Sequence, residues 1–405
     1  MNYDEVKEKL LAVLAFCLSP LLLVFTIWPA VKRGYKWSYY AVASVFAWFG
    51  AYLPPTSDAY RYRQLFYTGY NIHWGNLYQS TRDKDWLYFF VSNLFGSTGM
   101  SFEFFKLLIL IVCYWSYTWM FCRVVDSNEG LRDNKKMVFM AWLAMVFSIR
   151  LFTLIAGIRF GIASTLVIVA FYLLSERQLI KGSVLYLLCF FTHFSVILFA
   201  PFTIVSYLMT RFRMKTFTKI IIMLVVVVFF GSIMSTFFNA TNDDAIMSGV
   251  NNGYVKGTWG TENFMNSASF GGLWFSALRV IPVFPLTYFL YKANKSTFLC
   301  NLAFCGILFL CVSLSSYTMV LRYANITIAI TFIFLLKDTE ITMGQIKTSL
   351  VLFLIVFAAY AYSQRKVFAR GYAFQALTIP AAYVYPSPYS DSWVSRNIDW
   401  RGEFY

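Results

Sequence analysis

Hydrophobic residues fall along this chain in long runs broken by short polar stretches, at about 10–29, 37–53, 101–122, 137–149, 151–174, 183–208, 220–238, 270–291, 297–316, 318–336 and 348–362. Lipid offers no hydrogen-bonding partner to backbone amides, so each run is predicted to be helical. At roughly 20 apolar residues per crossing, the pattern predicts an all-α integral membrane protein of about 10–12 transmembrane helices. Residues 1–364 read as a single polytopic domain with external loops at 54–100 and 239–268, followed by an external tail at 365–405. Charges of both signs (Asp4, Glu5, Lys7, Glu8, Lys9) precede the first run and no small-residue cleavage site follows it, which predicts a retained span.

Basic residues orient the runs, because short cytoplasmic loops are enriched in Lys and Arg. Lys32, Arg33 and Lys36, then Arg123, Arg132, Lys135 and Lys136, place two loops inside, so the 54–100 loop lies outside and Arg150 marks an outer turn. Arg177 with Lys181 comes out inside, yet Arg211, Arg213, Lys215 and Lys219 demand the same side although only the 183–208 run intervenes. A break near Thr192-His193, giving a re-entrant hairpin that enters and leaves on the cytoplasmic side, resolves the conflict; irregular backbone at depth is tolerated where it lines a cavity. A single long crossing with basic residues outside is the alternative.

Composition agrees: 59% of residues are hydrophobic and only 13% charged. The 20% aromatic content suits interfacial belts or a lining for a lipid or sugar. A net charge of +15 raises nucleic acid as a partner, but the excess sits in short loops and reads as topology information, so no nucleic acid is expected. The seven cysteines lie within or beside apolar runs without metal-ligand spacing, and free buried thiols are predicted. No P-loop, G-x-G-x-x-G or H-E-x-x-H motif occurs, and no carboxylate sits mid-span, so neither a cofactor nor a metal is expected.

Four arginines interrupt the apolar runs: Arg150, Arg159, Arg279 and Arg322. At about 2.5–3.5 kcal/mol each at mid-helix, they require partners or water. The predicted topology brings all four to the outer half of the bilayer. Each alone could pair with an outer carboxylate (Asp58, Asp83, Asp85 or Glu103) or reach lipid phosphates. An unneutralised group of them predicts an anionic ligand such as phosphate or pyrophosphate, which arginine grips bidentately. Gly157 and Gly161, at small-xxx-small spacing, permit close helix approach.

His193 stands in Phe190-Phe191-Thr192-His193-Phe194 at the expected bend. It is either a packing residue or, kept neutral by apolar surroundings, a base for a sugar hydroxyl. The segment Thr56 to Gln64, with Asp58, Tyr60, Arg61 and Arg63, suits an amphipathic turn at the outer interface, with a solvated loop as the alternative. His73 reads as an exposed loop residue.

Several short stretches resemble the EpsG-like branch of the Wzy-type bacterial polysaccharide polymerases: Ser57-Asp58-Ala59-Tyr60, Ile158-Arg159-Phe160-Gly161-Ile162-Ala163, Glu176-Arg177-Gln178 with Lys181, Phe191-Thr192-His193-Phe194-Ser195 with Pro201, and Leu321-Arg322-Tyr323. The likeness is densest over about 140–210. Phe160 departs from the glutamine common after the family's arginine. The resemblance implies a metal-independent, GT-C-like glycosyltransferase of the bacterial inner membrane. It would join undecaprenyl-pyrophosphate-linked repeat units, as donor and acceptor, into O-antigen or a similar surface polysaccharide on the periplasmic face, beside a chain-length regulator. By the same resemblance Arg150, Arg159, Arg279 and Arg322 are expected to clamp pyrophosphate, and His193 to be the base. Asp58 is expected to be the base in its place or an orienter, and Tyr60, Arg61, Arg63 and Tyr323 to bind substrate. An O-antigen ligase shares this chemistry; a lipid-linked oligosaccharide flippase or a membrane O-acyltransferase are competing readings of other classes.

Overall fold

The computed structural model describes residues 3–68, 85–222, 224–225, 261, 265–266, 270–384 and 388–405. The expectations for His73, Asp83, most of the 220–238 run and most of the 239–268 loop lie outside the described residues, as does part of the 54–100 loop. Among the described residues the regular elements are helices, without a strand beyond one isolated bridge between Ile398 and Phe404. Six helical stretches among the described residues are long and apolar enough to cross a membrane: Phe102–Ser127, Ile158–Ser175, Phe194–Arg211, Phe270–Ala293, Tyr317–Asp338 and Met343–Ser363. Leu179–Thr192 and Phe298–Val312 are shorter apolar helices. The chain divides into two compact units, Met1–Ile197 with Tyr360–Tyr405, and Leu198–Ala359.

The first unit opens with α1 (Tyr3–Leu18), α2 (Pro20–Thr26) and α3 (Trp28–Arg33). This corrects the expected single span at 10–29: Pro20 and Pro29 lack the amide hydrogen that would continue a helix and start new ones instead. Next come α4 (Lys36–Ala51), α5 (Asp58–Thr68), α6 (Trp86–Ser97) and α7 (Phe102–Ser127). Helices α4 and α7 run antiparallel, tied at one end by Lys36 to Asp126 at 2.6 Å and at the other by buried Lys106 Nζ donating to Leu53 O at 2.8 Å. Then follow α8 (Lys135–Ser148), α9 (Leu151–Ala156), α10 (Ile158–Ser175) and α11 (Leu179–Thr192), with α10 and α11 packed as a hairpin. Gly161 lets α9 fold back on α10: a Cβ there would stand 2.4 Å from Leu154 Cα.

The tail belongs to this unit. Tyr389 is fully buried, its hydroxyl donating to Tyr52 O at 2.6 Å and accepting from Tyr372 N at 2.9 Å, with Trp393 stacked edge-on at 4.7 Å. Burial pushes the Tyr389 phenol well above its ordinary pKa, so it remains a donor. Ser57 N donates to Gly402 O at 2.7 Å, and Gly402 needs its left-handed φ of +85 to lie that close.

In the second unit α12 (Phe199–Arg211), α13 (Phe270–Val280), α14 (Val283–Ala293), α15 (Phe298–Val312), α16 (Tyr317–Asp338) and α17 (Met343–Ser363) follow in order, the last continuing into the first unit. Basic stretches gather at one end. Thr216 meets Asn294 at 2.8 Å, Lys219 Nζ donates to Lys295 O at 2.8 Å, and Thr297 donates to Asp338 at 2.5 Å. Ile204, Tyr207 and Leu208 on α12 are exposed, as lipid-facing side chains are. Cys113, Cys122, Cys189, Cys300 and Cys305 are buried free thiols, whereas Cys17 is exposed and Cys311 half-buried, which corrects the expected burial of those two.

Two outcomes follow. Gly161→Val is expected to destabilise the protein by about 1–3 kcal/mol, the usual cost of overpacking, read as a lower unfolding temperature in detergent. Tyr389→Phe removes the donor to Tyr52 O and leaves a buried carbonyl short of its partner, at a cost of about 1–3 kcal/mol. Limited proteolysis should then cut the tail sooner than in the wild type.

Candidate active site

The break expected near Thr192-His193 is present. Helix α11 ends at Thr192, His193 is extended at φ −153 and ψ 112, and a 3-10 turn covers Phe194–Leu198. Orphaned backbone in an apolar setting must find partners, and here it does. His193 N donates to Cys189 O at 2.9 Å, Tyr186 Oη donates to Val196 O at 2.7 Å, and Phe194 N donates to Asp85 Oδ1 at 2.7 Å.

Asp85 is the meeting point. It precedes α6 in the left-handed region at φ +82, a conformation that aspartate tolerates better than most residues, and it is buried. Its second oxygen accepts from Arg159 Nη1 at 2.9 Å. Arg159 Nε donates to Tyr62 Oη at 2.9 Å, and the guanidinium lies 4.9 Å from the Tyr62 ring and 5.1 Å from that of Phe89. Burial raises the Tyr62 pKa, and the adjacent Arg159 pulls it the other way. The expectation of an unneutralised guanidinium is therefore corrected at Arg159, because Asp85 supplies the countercharge. The arginine side chain still keeps a quarter of its surface exposed.

His193 is buried beside this pair, with Phe160 edge-on to its ring at 5.4 Å. Its Nδ1 accepts from Ser195 N at 3.3 Å and meets Ser195 Oγ at 2.7 Å. An amide hydrogen directed at Nδ1 favours the tautomer with the proton on Nε2, which would leave Nδ1 as the basic nitrogen with Ser195 beside it.

The remaining expected residues divide. Asp58 sits in the first turn of α5, half-exposed, 3.6 Å from Arg61. Tyr60 packs against the Tyr389 cluster of the tail. Arg63, expected to bind substrate, is buried and braces the tail, donating to Asp391 at 2.8 Å and to Tyr389 O at 2.7 Å. Arg150 directly precedes α9, with its guanidinium 5.7 Å from the Tyr360 ring.

In the second unit, Ser276 of α13 hydrogen-bonds Tyr317 of α16, and both chains run from there toward the basic end. Arg279 lies three residues past Ser276 and Arg322 five past Tyr317, so the two differ in depth by roughly 3 Å at about 1.5 Å per residue. Tyr323, expected to bind substrate, is buried between Phe309 at 4.9 Å and Phe199 at 5.7 Å.

Asp85, Tyr62 and Ser195 were not singled out as site residues from the sequence. Asp85 entered only as one of four candidate partners for an arginine, and no local signal distinguished it. No group of His, Cys, Asp and Glu with metal-binding geometry occurs among the described residues. The family model for the EpsG family matches residues 36–379, most of the chain. No curated protein and no solved structure matches.

Replacing Arg159 by Ala strands the buried Asp85 carboxylate and is expected to cost about 3 kcal/mol, the lower end for breaking a buried pair. Arg159→Gln combined with Asp85→Asn should recover most of that loss. Thermal unfolding of the purified variants checks both.

Proposed function

The chain belongs to the EpsG family of Wzy-type polysaccharide polymerase-like membrane proteins, and from that premise we propose that it is a polysaccharide polymerase. In this reading it is a glycosyltransferase of the bacterial inner membrane. It joins undecaprenyl-pyrophosphate-linked oligosaccharide repeat units at the periplasmic face. An acceptor hydroxyl oxygen attacks the anomeric carbon of the donor, and the bond to pyrophosphate breaks with its electron pair leaving on the phosphate. The hydroxyl proton passes to His193 Nδ1 by way of Ser195 Oγ, or to Asp58.

The observation that carries this reading is Arg159 beside the His193 bend, part-exposed at the mouth of α10. A guanidinium there is suited to a leaving group whose negative charge grows as the glycosidic bond breaks. Arg150 in the same unit, and Arg279 and Arg322 in the second unit, are proposed as further phosphate contacts, each tested separately. A lipid-anchored donor would reach them from the bilayer.

Topology supports the re-entrant form of the 183–208 segment. Tyr52, Ser57 and Arg63 bind the tail directly, which favours a topology in which an even number of crossings separates them. The runs read from the sequence give an even number when 183–208 is a hairpin and an odd number when it crosses once.

Purified protein incubated with synthetic lipid-pyrophosphate repeat units is expected to yield a ladder of longer products on a gel. Arg322→Ala, and Arg159→Gln in the Asp85→Asn background, should stop extension while the protein remains inserted and lipid-linked single repeats accumulate. Undiminished extension, or no accumulation of single repeats, would remove the polymerase assignment. His193→Ala with full activity would move the proton to Asp58.

A further inference from the structure

Asp85 grips two elements at once, and unequally exposed groups meet on it. Oδ1 holds the amide of Phe194 at 2.7 Å, and Oδ2 holds Arg159 Nη1 at 2.9 Å. The Asp85 side chain is 3% exposed and that of Arg159 25%. The carboxylate thus approaches the guanidinium from the interior, and an external ligand meets the arginine on its exposed side.

We propose that Asp85 is a positioning residue that acts as the resident counter-ion of Arg159 and sets how tightly this arginine holds a phosphate or pyrophosphate oxygen. The proposal rests on the reading of Arg159 as a lipid-pyrophosphate contact. Guanidinium offers five N–H donors; Nε is committed to Tyr62 and one Nη1 hydrogen to Asp85, and the rest remain for a second acceptor. An anion seated there shares the positive charge with a carboxylate that repels it. Its affinity is lower than an unpaired arginine would give, so that a spent lipid pyrophosphate can leave between transfers. The Phe194 amide keeps Asp85 from turning away, and it ties this counter-ion to the bend carrying His193.

The test is titration of the full-length protein, in nanodiscs of zwitterionic lipid, with inorganic pyrophosphate. Asp85→Asn should bind about five-fold more tightly, the scale of one part-exposed ion pair. Asp85→Glu, which restores the charge, should return toward wild-type affinity, a rescue that a purely structural role would not produce. In the Arg159→Gln background Asp85→Asn should change nothing. Unchanged or weaker binding by Asp85→Asn, with Arg159→Gln binding poorly, overturns the counter-ion role and leaves the reading of Arg159 standing. Wild-type affinity in Arg159→Gln overturns that reading and the proposal with it. Thermal unfolding of each variant separates loss of fold from loss of affinity.

Discussion

A full positive charge at the second position of an apolar helix has to be answered at short range, because the surrounding side chains cannot solvate it. Asp85 answers Arg159 at 2.9 Å, and the partnership decides more than charge balance. The second carboxylate oxygen is spent on the Phe194 amide, the donor exposed where α11 stops. One side chain therefore neutralises α10 and satisfies the break beside it. Tyr62 completes the arrangement from α5, so three segments distant in sequence are fixed about a single guanidinium.

The bend at His193 is held by hydrogen bonds to backbone groups on both sides of the break. A helix interrupted inside an apolar layer loses amide bonds worth several kcal/mol each if they go unmade. Here the losses are met by Cys189 O, Asp85 and Tyr186. The imidazole then occupies a site where the amide and hydroxyl of Ser195 meet its Nδ1. Phe160 supplies an apolar edge to that ring.

Aromatic side chains build much of the surrounding wall. Phe66, Phe102 and Phe105 are almost completely buried against one another, with Phe66 and Phe105 stacked at 5.2 Å. The tail extends the same principle: Tyr389 closes over Tyr52, and Arg63 grips Asp391 from beneath. Helix α5 thus carries Tyr62 toward Arg159 and Arg63 toward the tail on successive residues.

Hydrophobic run length by itself determined that this chain is helical and membrane-embedded, since lipid leaves the backbone no other solution. Basic clustering and the 183–208 conflict located the break at His193, and the short motif around Arg159 marked the arginine at the centre of the site. Tertiary structure alone decided which carboxylate answers that arginine. Asp58, Asp83, Asp85 and Glu103 look equivalent along the sequence, because ion pairing depends on distance through space, and 74 positions separate Asp85 from Arg159. The same holds for Arg63 and Tyr323, which the sequence offered as ligand contacts. In the folded chain Arg63 is buried against Tyr389 and Tyr323 between Phe309 and Phe199, and burial is a property of the folded neighbours, not of the residue.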